Sequence, residues 1–247
     1  MEVHAHTHTP RKKWTHYFWE FLMLFLAVTL GFFVENQREH FIEHQREKQF
    51  IKSIIADLSQ DTIAINQLLA DYEQKGKELD SLMVLLNAPG IKEKGASIYL
   101  KGRSAPRTEY FTPIDRTILQ MKNSGAFRLI RNDSASTSIL NYYASINFLE
   151  LLKGINGQQA ETYRNMTIDI FDPMIFERMI SHQTKDRIIM PDGNPQLLTY
   201  DKKQLTRLTG AIHYFNSTRR ALGIAYLKQK QAAINLIFLL KKEYHLK

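Results

Sequence analysis

An apolar segment near the N-terminus places the strongest constraint on what this chain can fold into. Residues 17–34 read YFWEFLMLFLAVTLGFFV, and Glu20 is the one formal charge among these 18 residues. A helix of that length spans about 27 Å, enough to cross the apolar core of a bilayer. Aromatic residues typical of the headgroup boundary stand at both ends: Trp14, Tyr17, Trp19, Phe32 and Phe33. The segment is predicted to be a transmembrane helix.

The flanking charges predict the orientation of this span. Arg11, Lys12 and Lys13 precede it, whereas residues 35–39 balance one arginine with two glutamates. The positive-inside rule then predicts a cytoplasmic tail over residues 1–16 and an external location for the 213 residues that follow the span. A secretory signal is the alternative, but no small A-x-A-like cleavage site follows the apolar core, which favours an uncleaved anchor.

Glu20 is an ionisable residue about one turn inside the cytoplasmic edge of the predicted span. It can extend toward the headgroups or pair with Lys13 or His16. The alternative is a role in helix association or proton handling, because acids at membrane depth are often functional.

Two stretches without proline, 11–88 and 196–247, predict two long helices. The segment between them is expected to contain shorter elements. After a polar helical stalk over residues 35–50, apolar residues recur with heptad spacing. The a and d positions are Ile51, Ile55, Leu58, Thr62, Ile65, Leu69, Tyr72, Gly76, Leu79, Met83 and Leu86. Ile54, Leu68 and Leu82 widen this stripe, which favours a helical bundle over a two-stranded coiled coil.

The second long helix is predicted over residues 201–246, opened by a capping box of Asp201 and Gln204. Its stripe consists of Leu205, Leu208, Ile212, Phe215, Arg219, Leu222, Tyr226, Gln229, Ala233, Leu236 and Leu240. Two helices of similar length are expected to pack antiparallel. The residues predicted to meet in this seam are Ile51, Leu58, Ile65 and Leu69 on one side and Ile212, Phe215, Leu222 and Leu236 on the other.

The middle of the external domain (51–247) has signals for shorter elements. Thr112 and Pro113 predict the start of a short helix that ends at Asn123-Ser124-Gly125, and Asp133 is predicted to cap a longer one that continues past Gly154 toward Met179. Irregular structure is expected over 88–112, with a short strand at 98–100. A small β-hairpin is expected over 187–200, within an irregular part at 183–200. The predicted class is mainly α with minor β structure at the far end of the bundle.

The early Glu20, the polar helix after the span, and the segments FTPIDRTILQMKNSGAFRLIRN (111–132) and ILNYY (139–143) resemble an uncharacterised family of single-span bacterial envelope proteins. The resemblance covers about the first 60 residues and residues 111–143. It implies the same topology, in the bacterial inner membrane with the bulk of the chain periplasmic. The family has no established activity or catalytic residues to transfer to this chain.

One motif suggests metal chemistry. His40, Glu43 and His44 fit the H-x-x-E-H pattern of inverted zinc peptidases, and the two histidines share a helix face. The stretch lies on a polar helix next to the membrane without a third ligand, so a solvated helix face is the preferred interpretation. His4, His6 and His8 form a short tract that either binds metal or is disordered. No cofactor is predicted.

The net charge of +8 raises the question of nucleic acid, but the basic residues are spread and no binding fold is evident. A basic cluster near the C-terminus is instead expected either to face anionic headgroups or to be a solvated face: Lys228, Lys230, Lys241, Lys242 and Lys247. The chain has no cysteine, no phosphate-binding loop and no G-x-S-x-G, so it is not predicted to be an enzyme.

These observations predict a structural or accessory subunit of a bacterial envelope complex, with the lipid bilayer and either copies of itself or other membrane proteins as partners. Two alternatives stay open. One is an external sensor bundle that signals through a partner, and the other is an ion-powered force transducer that uses Glu20.

Overall fold

The computed structural model describes residues 13–181 and 187–246. Its α-helices are α1 (Trp14–Leu86), α2 (Gly95–Ser104), α3 (Arg116–Asn123), α4 (Asp133–Thr167), α5 (Pro173–Arg178) and α6 (Lys202–Glu243). The described residues contain no β-strand, which confirms the mainly helical class. The chain divides into two compact units, Met1–Phe50 and Ile51–Lys247, and the boundary falls within α1.

The first unit contains the N-terminal part of α1. Among the described residues, α1 is the one helix long and apolar enough to cross a membrane, and its most apolar stretch buries none of its residues. The predicted boundary aromatics are exposed, from 55% for Tyr17 to 81% for Trp14. His4, His6, His8 and Lys247, for which metal or lipid contacts were considered, lie outside the described residues.

The second unit is built on the antiparallel pair formed by residues 51–86 of α1 and by α6. Lys230 Nζ donates to Asn66 Oδ1 at 2.8 Å, Asn216 Nδ2 to Asp80 Oδ1 at 2.9 Å, and Asn87 Nδ2 to Thr209 Oγ1 at 3.1 Å. Partner numbers fall along α6 as they rise along α1, so the two helices run in opposite directions.

All eleven stripe positions predicted for α6 are buried, including Arg219 and Gln229. On α1 the buried stripe agrees in part with the predicted one. Ile51, Leu58 and Ile65 are buried as expected, whereas Leu69 is only half-buried at the edge of the core. Ile54, Leu68 and Leu82, which were predicted to widen the stripe, are buried as well, and so are Asp57 and Asp61, which were not predicted. Two acids therefore occupy core positions that apolar periodicity did not identify.

Helix α4 packs along α6 and closes the bundle. Leu149 of α4 joins a core cluster with Ile65, Leu222 and Tyr226, and Ser145 Oγ donates to Gln229 Oε1 at 2.7 Å. The cap of α4 is Asn132, whose side chain accepts from the backbone N–H of Ala135, so the prediction of Asp133 as cap was wrong by one residue. The helix ends at Thr167 and does not run on toward Met179.

The predicted β structure is absent from the described residues. Residues 98–100 lie in α2, where Ile98 and Tyr99 are fully buried. The expected hairpin over 187–200 does not form, since Ile188 makes an isolated bridge with Ile180 and Leu198 N–H donates to the carbonyl of Ile170. Helix α2 packs so closely here that a Cβ at Gly95 would lie 1.9 Å from the carbonyl oxygen of Pro195.

Candidate functional site

The structure does not assemble the suspected zinc motif. Nδ1 of His40 lies 3.9 Å from Glu43 Oε2, and Nδ1 of His44 lies 3.3 Å from Glu47 Oε2, so each histidine faces a different carboxylate. Across the described residues, no group of three or more His, Asp or Glu side chains is arranged to hold a metal ion. The i, i+3 spacing accounts for both pairs as contacts along a helix surface.

Glu20 has a neighbour on its own helix. His16 Nε2 lies 3.0 Å from Glu20 Oε1, and both side chains are about half exposed, at 48% and 50%. This is one of the two pairings that the sequence suggested for the acid.

The two buried acids of α1 form a polar cluster with Ile114, with the first turn of α3 and with α4. Asp57 is fully buried and accepts at Oδ1 from Nε and Nη2 of Arg116, both at 2.8 Å. Its Oδ2 accepts from Thr117 Oγ1 at 2.5 Å. Asp61 accepts from the backbone N–H of Ile114 and from the hydroxyl of Tyr142, each at 2.9 Å. We call these residues the Asp57–Asp61 cluster.

Helix α3 begins at Arg116, three residues after the predicted start at Pro113, and the N–H of Ile114 just before the helix donates to Asp61. Every carboxylate oxygen of Asp57 and Asp61 has a donor from the chain itself. Because buried carboxylates are stable only when paired in this way, the cluster fastens the 111–117 segment and α4 to α1. The role that these contacts support is structural.

Burial raises the pKa of the Asp61 carboxyl to about 6, against the opposing effect of its two hydrogen bonds. A carboxyl with a raised pKa in the folded state stabilises the fold most when it is protonated. That contribution is fully present below pH 3.8, the ordinary value, and is lost as the pH rises through about 6. At 1.36 kcal/mol per pKa unit, the loss is at most about 3 kcal/mol.

Replacing Asp61 by Asn is expected to remove this pH dependence. The amide oxygen can still accept from Ile114, and the amide nitrogen can donate to the Tyr142 oxygen, so the contacts survive without the charge. Urea unfolding of the detergent-solubilised protein should be measured between pH 4 and pH 7. The free energy of unfolding of Asp61→Asn should increase relative to that of the unaltered chain as the pH rises. Asp192→Asn, at an exposed position, is the control. Parallel pH profiles for all three proteins would contradict the assignment.

A second polar site surrounds Arg219. Arg219 is only 3% exposed, and its guanidinium lies over the ring of Tyr72, with Cζ 4.2 Å from the ring centroid. Nη2 donates to the carbonyl of Asp71 at 3.4 Å, whereas Nε and Nη1 are buried with no hydrogen-bond partner among the described residues. Burial lowers the pKa of this group from its ordinary value.

Arg219 lies on the wall of a cleft of about 480 Å³, which we call the Arg219 cleft. Its charged lining residues are Lys75, Arg107, Arg164, Arg219, Asp71 and Glu109. The sequence placed Arg219 in the apolar stripe but did not identify it as a site residue. The available signal was a permanently charged residue at a core heptad position, which requires a compensating partner.

Comparisons with known protein families, with curated proteins and with solved structures find no match to this chain. The resemblance of residues 1–60 and 111–143 to single-span envelope proteins stays a prediction.

Proposed function

We propose that this protein is a single-span membrane protein whose helical bundle acts as a structural or accessory subunit of a bacterial envelope complex. The observation that carries the proposal is the exposed apolar segment of α1, since a run such as Phe21 (64% exposed), Leu24 (67%) and Phe32 (74%) needs an apolar environment. Insertion in a bilayer provides that environment. The charge balance of the flanks supports a cytoplasmic N-terminus.

A partner role is supported by apolar surface on the second unit. A groove of about 470 Å³ lies between α4 and α6 and is lined by Phe148, Leu152 and Ile224 among others. Phe148 and Ile224 are each 57% exposed, and Leu151 on α4 and Leu227 on α6 are exposed as well. Apolar patches of this kind are typical of surfaces that bind other proteins or copies of the same chain.

Of the two alternative functions, a specific observation favours the external sensor bundle, because the Arg219 cleft has the size of a small-molecule binding site. The hypothesis of an ion-powered force transducer depends on Glu20. The contact of Glu20 with His16 gives this side chain a simpler role, as a partner within its own helix.

Single cysteines introduced into a chain that has none provide a clean test of the topology. A cysteine at Thr162 should react with a membrane-impermeant maleimide added to spheroplasts, whereas a cysteine at Lys13 should react only after lysis. Both positions are exposed. Labelling of Lys13→Cys but not Thr162→Cys in intact spheroplasts would show the opposite orientation. Recovery of the protein in the soluble fraction, without membranes, would contradict the membrane anchor.

The accessory role is tested by chemical crosslinking in membranes, followed by purification in mild detergent. A partner or second copy should be recovered at a fixed ratio, and Phe148→Glu should abolish its recovery while the circular dichroism spectrum stays the same. Thr137→Glu, at an exposed position of α4, should leave recovery unchanged. A monomer with no crosslinked partner, or equal recovery with Phe148→Glu, would contradict the role of this groove.

A further inference from the structure

We propose that the Arg219 cleft is a binding site for a phosphate group, with Arg219 at its base and Lys75, Arg107 and Arg164 around it. The site is independent of the accessory role proposed above. It lies entirely within the second unit, on residues of α1, α4, α6 and the segment after α2.

The first argument is the hydrogen bonding of Arg219. A guanidinium has five N–H donors and keeps its charge at any physiological pH. Here the side chain is 97% buried, its contact with the Asp71 carbonyl is long at 3.4 Å, and Nε and Nη1 have no partner among the described residues. Buried donors of a charged group are costly when unpaired, and the oxygens of an anion satisfy them best.

The second argument is a further buried polar atom in the same cleft. Thr108 lines it, and its Oγ1 is also buried without a hydrogen-bond partner among the described residues. A hydroxyl beside a guanidinium is a common combination for binding phosphate oxygens, because both groups can donate. The Tyr72 ring, 4.2 Å from Arg219 Cζ, keeps the guanidinium plane in one orientation.

The third argument is charge. Four basic and two acidic residues line the cleft, and Lys75 Nζ also lies 3.0 Å from Glu78 Oε2, so the formal excess is one positive charge. This excess favours an anion, and a phosphate group offers the unpaired Arg219 donors more acceptor oxygens than a carboxylate does. The cleft volume of about 480 Å³ lies in the range of small-molecule sites, so it has room for an organic group beyond the phosphate.

Isothermal titration calorimetry of the full-length protein in a neutral detergent tests the proposal. Inorganic phosphate and glycerol 3-phosphate are the probes, with sodium chloride adjusted to constant ionic strength and sulfate-free buffer. Saturable binding of inorganic phosphate alone would identify a free oxyanion as sufficient. Tighter binding of glycerol 3-phosphate would identify a phosphate ester, such as a soluble phosphometabolite or a lipid headgroup, and phosphatidic acid in mixed micelles would then separate these two sources.

Arg219→Gln is expected to weaken binding by about tenfold or more, since it removes the charge-assisted hydrogen bonds. If this variant does not fold, Arg164→Gln carries the test, because Arg164 is exposed, and its loss should weaken binding by a few fold. Lys203→Gln, exposed on the same helix as Arg219, removes an equal charge outside the cleft and should bind as the unaltered chain does. No saturable binding of either probe, or equal weakening by Lys203→Gln and the cleft variants, would overturn the proposal.

Discussion

Replacing Ile65 by Asp is expected to unfold the helical bundle. Ile65 is fully buried and shares a core cluster with Leu222 of α6 and Leu149 of α4. An aspartate there would lose the packing of the isoleucine and would place a carboxylate among apolar side chains with no donor. The expected cost is about 4 kcal/mol or more, a large part of the stability of a domain this size.

Ile63→Asp is the matched control, since it makes the same change two residues away at a side chain that is 59% exposed. Thermal unfolding followed by circular dichroism in detergent should show a lower, broader transition for Ile65→Asp and little change for Ile63→Asp. Equal tolerance of the two substitutions would mean that this stripe of α1 is not a core.

Asp57→Ala is expected to be the next most damaging change, with a loss of about 2 to 3 kcal/mol. The substitution removes the acceptor for Arg116 and Thr117 and leaves space at a position with no exposure. The Arg116 side chain is 67% exposed, so water can solvate it, and most of the cost falls on the buried Thr117 hydroxyl and on the packing around it.

The control for Asp57→Ala is Asp115→Ala, in the segment that the cluster fastens. Asp115 is exposed and its side chain makes no capping hydrogen bond to α3. Hydrogen exchange should show faster exchange at Ile114 and through α3 in Asp57→Ala but not in Asp115→Ala. Unchanged protection of α3 in Asp57→Ala would contradict the anchoring role of the cluster.

The long helices could be predicted from the sequence because their signals are local. The positions that apolar spacing predicted along α6, from Leu205 to Leu240, are all buried, and the capping side chain of Asp201 accepts from the backbone of Gln204 as expected. The apolar segment of α1 was equally clear, since length and composition alone decide whether a helix can cross a bilayer.

Elements that depend on distant contacts could not be predicted in this way. The GASIYLKGRS segment has weak helix propensity, and its helix, α2, is held by contacts from far along the chain: Asn194 Oδ1 accepts from Gly95 N–H, and the Tyr99 hydroxyl donates to the carbonyl of Gln196. The start of α3 also lies among contacts from α1, since Asp57 accepts from Arg116 and Thr117 and Asp61 accepts from the N–H of Ile114.

The sequence by itself determined that this chain forms long helices, where α1 and α6 begin and end within a few residues, and that α1 carries a membrane-length apolar segment. Only the tertiary structure decided which charged residues enter the core. Asp57, Asp61 and Arg219 are polar by type, so periodicity of apolar residues assigns the acids to the surface and gives the arginine no special role. The free energy of a buried charge depends on the donors and acceptors that folding brings to it, and those come from residues up to 148 positions away.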